Sequence, residues 1–177
     1  MKRRLVIFLA LIGLAATPLV AQFRADIGLN VPWRLGVRAN STETGLESES
    51  LNVLDSVFLV LPEVSLSYTG RVGPVTIGGG FRGFTFIVQS LLYPHLFAEV
   101  ELGQVVAGLS VGGGVFPFIG LYNSIETGGI FIPDLKAHVK LGETFRLGGG
   151  VASVVGVGDG VSTPFLVYLS GIFVIDL

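Results

Sequence analysis

Side chains that commonly take part in catalysis recur in the middle of this sequence. The segment Gly108-Leu-Ser-Val-Gly112 matches the G-x-S-x-G pattern that presents a nucleophilic serine in hydrolases. If residues Phe118 to Gly129 form a loop between two paired strands, Ser110 lies beside His138, and Asp134 lies on the same face. A histidine that takes the proton of a serine, oriented by a carboxylate, supports acyl transfer. The spacing therefore raises a hydrolase as one hypothesis.

The surrounding sequence argues against this hypothesis. A nucleophile elbow needs a strand-to-helix turn, whereas here an alternating strand pattern continues through Val115. His95 with Glu99, and Asp134 with His138, have the four-residue spacing that would pair them on a helix. On a strand the same spacing separates two residues by roughly 13 Å. We therefore expect no catalytic residue, no metal site and no cofactor.

The spacing of apolar residues indicates what positions the ionisable side chains. Between Ile27 and Val37 every second residue is apolar, and the alternate positions include Asp26, Arg34 and Arg38. A period of two is the pattern of a β-strand with one apolar face and one polar face. The alternation returns along most of the chain, so the sequence predicts an all-β fold.

The composition is too apolar for an ordinary soluble β-protein. Of 177 residues, 50% are hydrophobic and 14% are charged, and the mean hydropathy is +0.75. Soluble domains carry about 25% charged residues. The net charge of −2 excludes the electrostatic footprint of a nucleic-acid-binding protein, and the absence of cysteine excludes thiol chemistry. Strands that are apolar outside and charged inside are typical of a barrel in a lipid bilayer.

A repeating hairpin organises the chain. Segments led by Pro62, Pro94, Pro133 and Pro164 each begin a strand, and the first three end in a glycine turn followed by a strand with a glycine triplet. We predict eight strands, at 24–38, 57–69, 75–87, 91–102, 105–117, 130–141, 145–157 and 164–177. Short turns at one end and longer connections at the other, including the acidic segment 39–56, predict an eight-stranded antiparallel up-and-down transmembrane β-barrel.

The beginning of the chain has the pattern of a secretory signal. Residues 2–4 are basic, and residues 5–16 form an apolar stretch shorter than a membrane-spanning helix. The predicted cleavage follows the small residue Ala21, although Leu19 is larger than the residue usual two positions earlier, and the alternative is an uncleaved membrane anchor. We therefore expect a signal peptide at 1–21 and one barrel domain at 22–177. The destination that follows is the outer membrane of a diderm bacterium.

If the polar face points inward, the barrel interior holds an ionisable network. The predicted members are Asp26, Arg34, Glu63, Arg82, His95, Glu99, Glu101, Asp134, Lys136, His138, Lys140, Arg146 and Asp176. An interior of eight strands is just wide enough for side chains to fill, and charges in it must be paired. Hairpin registers predict one belt toward the loop end, formed by Arg34, Glu63, Arg82 and His95.

A second belt is predicted near the short turns. There Arg146 lies opposite Asp176 and next to Lys140, and Asp176 meets Asp26 where the last strand closes on the first. The glycines predicted to point inward are Gly78, Gly80, Gly112, Gly114, Gly148 and Gly150. Their missing side chains would leave room for large neighbours in a narrow barrel.

The whole predicted mature chain resembles the small eight-stranded outer-membrane barrels, the OmpA transmembrane domain and OmpX among them. Its last strand, Phe165 to Leu177, resembles the C-terminal assembly signal of that class, with Leu177 where the class usually has an aromatic residue. The resemblance implies the lipid bilayer and the outer-membrane assembly machinery as partners. It also implies a structural or surface-interaction role, for which segment 39–56 is the best-placed contact with a surface ligand.

Other functions and folds stay open from the sequence alone. A barrel could be a narrow channel for small solutes, or a lipid-modifying hydrolase that uses Ser110 and His138. The uncharged segment Leu102 to Ser124 could instead cross a membrane as a helix in a multipass protein. A soluble lipocalin-like barrel would need the apolar face inside.

Overall fold

The computed structural model describes residues 20–38, 59–86, 88–156 and 163–177. The strand segments are β1 Val20–Arg38, β2 Leu61–Val72, β3 Val75–Phe86, β4 Gln89–Leu102, β5 Val105–Gly120, β6 Ser124–Leu141, β7 Phe145–Ser153, β8 Val155–Gly156 and β9 Thr163–Asp176. Within these ranges, no helix has the length and apolar character needed to cross a membrane. The segment suggested as a helical span forms β5 and the turns around it, so the multipass helical alternative is wrong.

The strands close into a ring. From β1 to β7 each strand pairs antiparallel with the next, β7 pairs with β9, and β9 pairs with β1. The β5–β6 pairing joins the two ends of the sheet. The short segments β7 and β8 both pair with β6 and occupy one position of the wall. Nine segments thus fill eight positions, and the predicted eight-stranded antiparallel barrel is confirmed.

Glycines make the short turns at one end of the ring. Gly73, Gly103 and Gly142 follow β2, β4 and β6 and have φ angles of 58°, 65° and 91°. Most residues avoid positive φ because of their β-carbon, so glycine suits these tight reversals. At the other end the β3–β4 and β5–β6 connections, residues 87–88 and 121–123, are as short as these turns. The remaining two connections at that end include residues 39–58 and 157–162, which lie outside the described part of the chain.

Burial is inverted relative to a water-soluble barrel. Along β2 the side chains of Glu63, Ser65 and Ser67 are buried, while Val64 and Leu66 between them are more than half exposed. Phe23, Ile27 and Leu29 point outward from β1 in the same way. The soluble lipocalin-like alternative is therefore wrong, because the polar residues fill the centre and the apolar residues cover the outside.

Three inward glycines make room for aromatic rings. A β-carbon at Gly78 would lie 2.8 Å from the ring of Phe97, and one at Gly150 would lie 2.6 Å from the hydroxyl of Tyr168. A β-carbon at Gly112 would collide with the ring of Tyr93. The glycine triplets therefore let large side chains lie flat against the inner wall of a narrow barrel.

Candidate functional site

A cluster of ion pairs around Arg82 fills the loop side of the interior. Arg82 donates from Nε and Nη2 to the two carboxylate oxygens of Glu63, at 2.6 and 2.9 Å, and from Nη1 to Asp134 Oδ2 at 2.6 Å. Asn30 Nδ2 donates to Glu63 Oε2 at 2.7 Å, and the Tyr168 hydroxyl donates to Asp134 Oδ1 at 2.6 Å. We call these five residues the Arg82 cluster; all are buried.

A second cluster lies on the turn side. Arg24 donates from Nε to Asp26 Oδ1 at 2.7 Å, and from Nη1 and Nη2 to the carboxylate of Glu99 at 2.7 and 3.1 Å. Arg146 Nη1 also donates to Glu99, at 3.0 Å, and Ser65 Oγ donates to Asp26 Oδ2 at 3.3 Å. We call Arg24, Asp26, Glu99 and Arg146 the Arg24 cluster.

A more accessible group of charges forms the rim beside the short turns. Lys140 Nζ donates to Glu101 Oε1 at 2.6 Å, and Arg71 Nη2 donates to Glu101 Oε2 at 3.2 Å. The Arg71 side chain is 55% exposed, so water screens this group far more than the two clusters above it.

Two histidines bond serines across an intervening strand. Ser67, Gly80 and His95 are successive cross-strand neighbours on β2, β3 and β4, and the serine hydroxyl lies 3.0 Å from His95 Nε2. On the other side, His138 Nε2 lies 2.6 Å from the hydroxyl of Ser170, and Gly148 lies between them. In each case the glycine in the middle leaves the space that the bond crosses.

The position predicted for Arg34 is wrong. Its side chain is exposed, and Glu63 is paired with Gly28 rather than with Arg34. A β-bulge between Pro32 and Arg34 inserts one residue into β1, which puts the Arg34 side chain on the outer face. Asn30 therefore contacts Glu63 in the place expected for Arg34.

Part of the predicted turn-side belt is also wrong. Arg146 pairs with Ile172 and Asp26 pairs with Val174, so neither faces Asp176. Asp176 is exposed at the end of β9, where its register partner is Arg24. The expected proximity of Lys140 and Arg146 does appear, since they are direct cross-strand partners.

The serine and histidine of the hydrolase hypothesis are not neighbours. Ser110 pairs with Asp134, and the partner of His138 is Val106. The register differs from the expected one because β5 and β6 continue to Gly120 and Ser124, and a bulge follows Gly113. His138 uses its Nε2 for Ser170 instead.

The remaining predicted members occupy the inner wall. Lys136 lies inward between Gly108 and Gly150 and is half-buried. Sequence reasoning missed the polar residues Arg24 and Asn30, although both continue the alternation that places Asp26 inside. It also missed the inward tyrosines, Tyr93 and Tyr168, because an aromatic residue in an alternating strand does not indicate which face it takes.

An apolar cavity opens above the Arg82 cluster. Its volume is about 280 Å³, and side chains from β1, β2, β3, β4, β6, β7 and β9 line it. Phe84, Leu91, Ile132, Ala152 and Leu166 contribute to its walls, and the Arg82 cluster lies at its floor. We call this cavity the loop-end cup.

The comparisons with known proteins concern the fold. The chain is similar to Neisserial surface protein A, with 8% identity, a TM-score of 0.47, and coverage of 86% of this chain and 97% of that chain. It is also similar to the N-terminal β-barrel domain of Pseudomonas aeruginosa OprF, with 10% identity, a TM-score of 0.45, and coverage of 85% of this chain and 97% of that chain. A third similar structure is Ail of Yersinia pestis in complex with the heparin analogue sucrose octasulfate, with 12% identity, a TM-score of 0.36, and coverage of 88% of this chain and 99% of that chain.

No protein-family model and no curated protein matches the sequence. The fold assignment rests on the strand register, which closes eight strands around a polar interior. The chain therefore has the architecture that its sequence predicts, that of a small outer-membrane-type β-barrel.

Proposed function

We propose that the chain is a structural and surface-interaction protein of the outer membrane, which holds its loops at the cell surface on a sealed barrel. The observation that carries this proposal is the combination of a charge-paired interior with an apolar exterior. Arg82 and Arg24 are each bonded to two carboxylates inside, while outward residues such as Leu66 and Leu29 are apolar. Such a surface is stable against acyl chains and unstable in water.

The interior supports a scaffold rather than a channel. The Arg82 cluster joins β3 to β2 and β6, and the Arg24 cluster joins β1 to β4 and β7. These bonds cross the lumen, so an ion that passed through would have to break buried ion pairs, each expensive to separate.

Conductance across a planar bilayer distinguishes the scaffold from the narrow channel. We expect the reconstituted barrel to give no current steps above those of the protein-free bilayer. Sustained steps whose size changes in Arg82→Gln would contradict the scaffold and support the channel.

The proposal includes export through a cleaved signal peptide and assembly in the outer membrane of a diderm bacterium. Residues 1–19 lie outside the described residues, so mass spectrometry of the exported protein tests the cleavage, with a mature chain that begins at Gln22 expected. The outer-membrane fraction should contain the protein, and its gel migration should change on heating. Recovery in the soluble fraction would contradict the proposal.

The assembly machinery is the proposed partner of β9. Outward residues of this strand include Leu169, Phe173 and Ile175, and Leu177 is 71% exposed. If the machinery reads the last residue, Leu177→Phe should raise the assembled fraction and Leu177→Asp should lower it. Equal assembly of both variants, measured by heat-modifiable migration, would remove this partner from the proposal.

The acidic segment 39–56 is the proposed contact for a surface ligand, and it lies outside the described residues. Its acidic residues Glu43, Glu47, Glu49 and Asp55 would favour a basic partner. We expect barrels in nanodiscs to bind a lysine-rich peptide in a salt-dependent way, and neutralising these four residues should abolish the binding. Unchanged binding would contradict the proposed contact.

We propose that the chain is not an enzyme. Ser110 is paired with Asp134, whereas His138 Nε2 bonds Ser170 and His95 Nε2 bonds Ser67, so neither histidine is bonded to Ser110 to take its proton. An esterase or lipid-modifying activity that Ser110→Ala abolishes, while heat-modifiable migration stays intact, would contradict this.

A further inference from the structure

The loop-end cup combines a hydrocarbon-like wall with a floor that has unused hydrogen-bonding capacity. We propose that it binds a small amphipathic molecule, with a hydrocarbon body of about eight carbons and a neutral hydroxyl or carbonyl head. This site is independent of the surface contact proposed above.

The size of the cup sets the length of the ligand. Its volume is about 280 Å³. A water-sized group takes up about 30 Å³ in a liquid, so roughly nine such groups fit. That is the size of a medium-length chain with a head, and much smaller than a complete membrane lipid.

The walls select a hydrocarbon body. Leu61, Phe84, Leu91, Ile132 and Leu166 come from five different strands and surround the cavity. Apolar walls of this kind favour a hydrocarbon group over water. Each buried methylene group of a ligand would contribute to binding in proportion to its area.

The floor of the loop-end cup contains buried polar atoms without hydrogen-bond partners among the described residues, which favours a ligand with a polar head group. Tyr93 is 1% exposed and Asn30 is 3% exposed, both line the cup, and neither the Tyr93 hydroxyl nor Asn30 Oδ1 has a hydrogen-bond partner among the described residues. The Tyr93 ring is held between Phe84 and Phe116, with centroid distances of 6.1 and 6.0 Å. A ligand hydroxyl could donate to Asn30 Oδ1 or bond the Tyr93 hydroxyl, which removes part of the cost of burying an unpaired polar atom.

The charges at the floor select a neutral head. The Arg82 guanidinium is already bonded to Glu63 and Asp134, so it offers no free cation to a carboxylate or phosphate. An anionic head would approach these two carboxylates and be repelled. The Tyr168 hydroxyl is likewise committed, since it donates to Asp134.

Titration of the barrel in lipid nanodiscs with 1-octanol tests the site. The methyl NMR chemical shifts of Leu61, Leu91 and Ile132 should change as octanol is added and then reach a plateau. The octanol concentration is expressed as its mole fraction in the lipid. Ala152→Phe, which fills the cup, should weaken binding at least tenfold. Val151→Phe is the matched control, because Val151 is its outward neighbour and 43% exposed, and it should bind as the native chain does.

Shifts that grow linearly without saturation, or equal affinities in both phenylalanine variants, would overturn the site. The amide spectrum reports whether each variant is folded. If Ala152→Phe does not fold, Ile132→Phe fills the same cup from β6 and takes its place in the comparison.

Two further measurements test the head group. Tyr93→Phe should weaken octanol binding about 3- to 10-fold, the usual effect of one neutral hydrogen bond, and should leave the binding of octane unchanged. Octanoate should bind more weakly than octanol. Octanoate that binds more tightly, or octane that binds as tightly as octanol, would overturn the proposed head.

Discussion

His138 on β6 and Ser170 on β9 share a 2.6 Å hydrogen bond although β7 lies between their strands. Gly148 is the direct neighbour of both residues and contributes no side chain to the interior. Ser67 and His95 repeat the arrangement with Gly80 between them. In both places the strand between the serine and the histidine has a glycine, so no side chain of that strand stands between the two bonded groups.

The bond over Gly148 leads to a first prediction. A β-carbon there would overlap the backbone of Ala137 and His138. We expect Gly148→Ala to lower the free energy of unfolding by about 1–3 kcal/mol, the usual cost of overpacking, measured by urea unfolding in lipid vesicles. Gly128→Ala is the control, because a β-carbon at Gly128 meets nothing within 4 Å. Equal stabilities of the two variants would contradict this reading.

The paired ions of the Arg82 cluster lead to a second prediction. Glu63→Gln leaves the buried Arg82 with one carboxylate, so we expect a loss of about 3–5 kcal/mol in unfolding free energy. Glu143→Gln changes an exposed residue of a short turn and should have almost no effect. A Glu63→Gln variant as stable as Glu143→Gln would show that the pair is not needed.

Two arginines of β1, Arg24 and Arg34, give a third prediction. Arg24 is 4% exposed and bonded to Asp26 and Glu99, whereas Arg34 is exposed. We expect Arg24→Gln to lower the urea midpoint clearly and Arg34→Gln to leave it unchanged. A lower urea midpoint for Arg34→Gln, with that of Arg24→Gln unchanged, would instead support a register in which the Arg34 side chain lies in the interior.

The outer surface gives a fourth prediction. Leu66 lies outward near the middle of β2, and Leu121 lies at the tip of the β5–β6 hairpin, 84% exposed. Leu66→Arg should cost about 2–4 kcal/mol in lipid vesicles, as expected for a charge near the bilayer midplane. Leu121→Arg should cost much less. Similar costs would mean that the bilayer does not surround β2.

The strands could be predicted from the sequence because their two faces differ so strongly. The alternation from Asp26 to Asn30, and again from Glu63 to Thr69, assigns every residue to a face without knowledge of its partners. The prediction that the interior charges are paired then follows from the free-energy cost of burying an unpaired ion.

The pairing of individual side chains could not be predicted, because it depends on bulges that hydropathy does not reveal. Val31, Trp33 and Leu35 are all apolar, so the pattern looks continuous where β1 changes phase. One inserted residue there sends Arg34 outside. The register shift after Gly113 similarly separates Ser110 from His138.

The ion pairs have a consequence for how the cylinder is completed. Arg24 and Glu99 are 75 residues apart, and Arg82 and Asp134 are 52 apart, so each pair links walls that no single hairpin contains. Arg24 can pair with Asp26 on its own strand and Arg82 with Glu63 on the adjacent strand, but the two long-range pairs need the sheet to curve around the lumen. The first pair joins β1 to β4 and the second joins β3 to β6, so each spans strands that are not neighbours in the sheet. These interior ion pairs therefore hold the closed barrel together, and a partly opened barrel would lose ion pairs in both clusters at once.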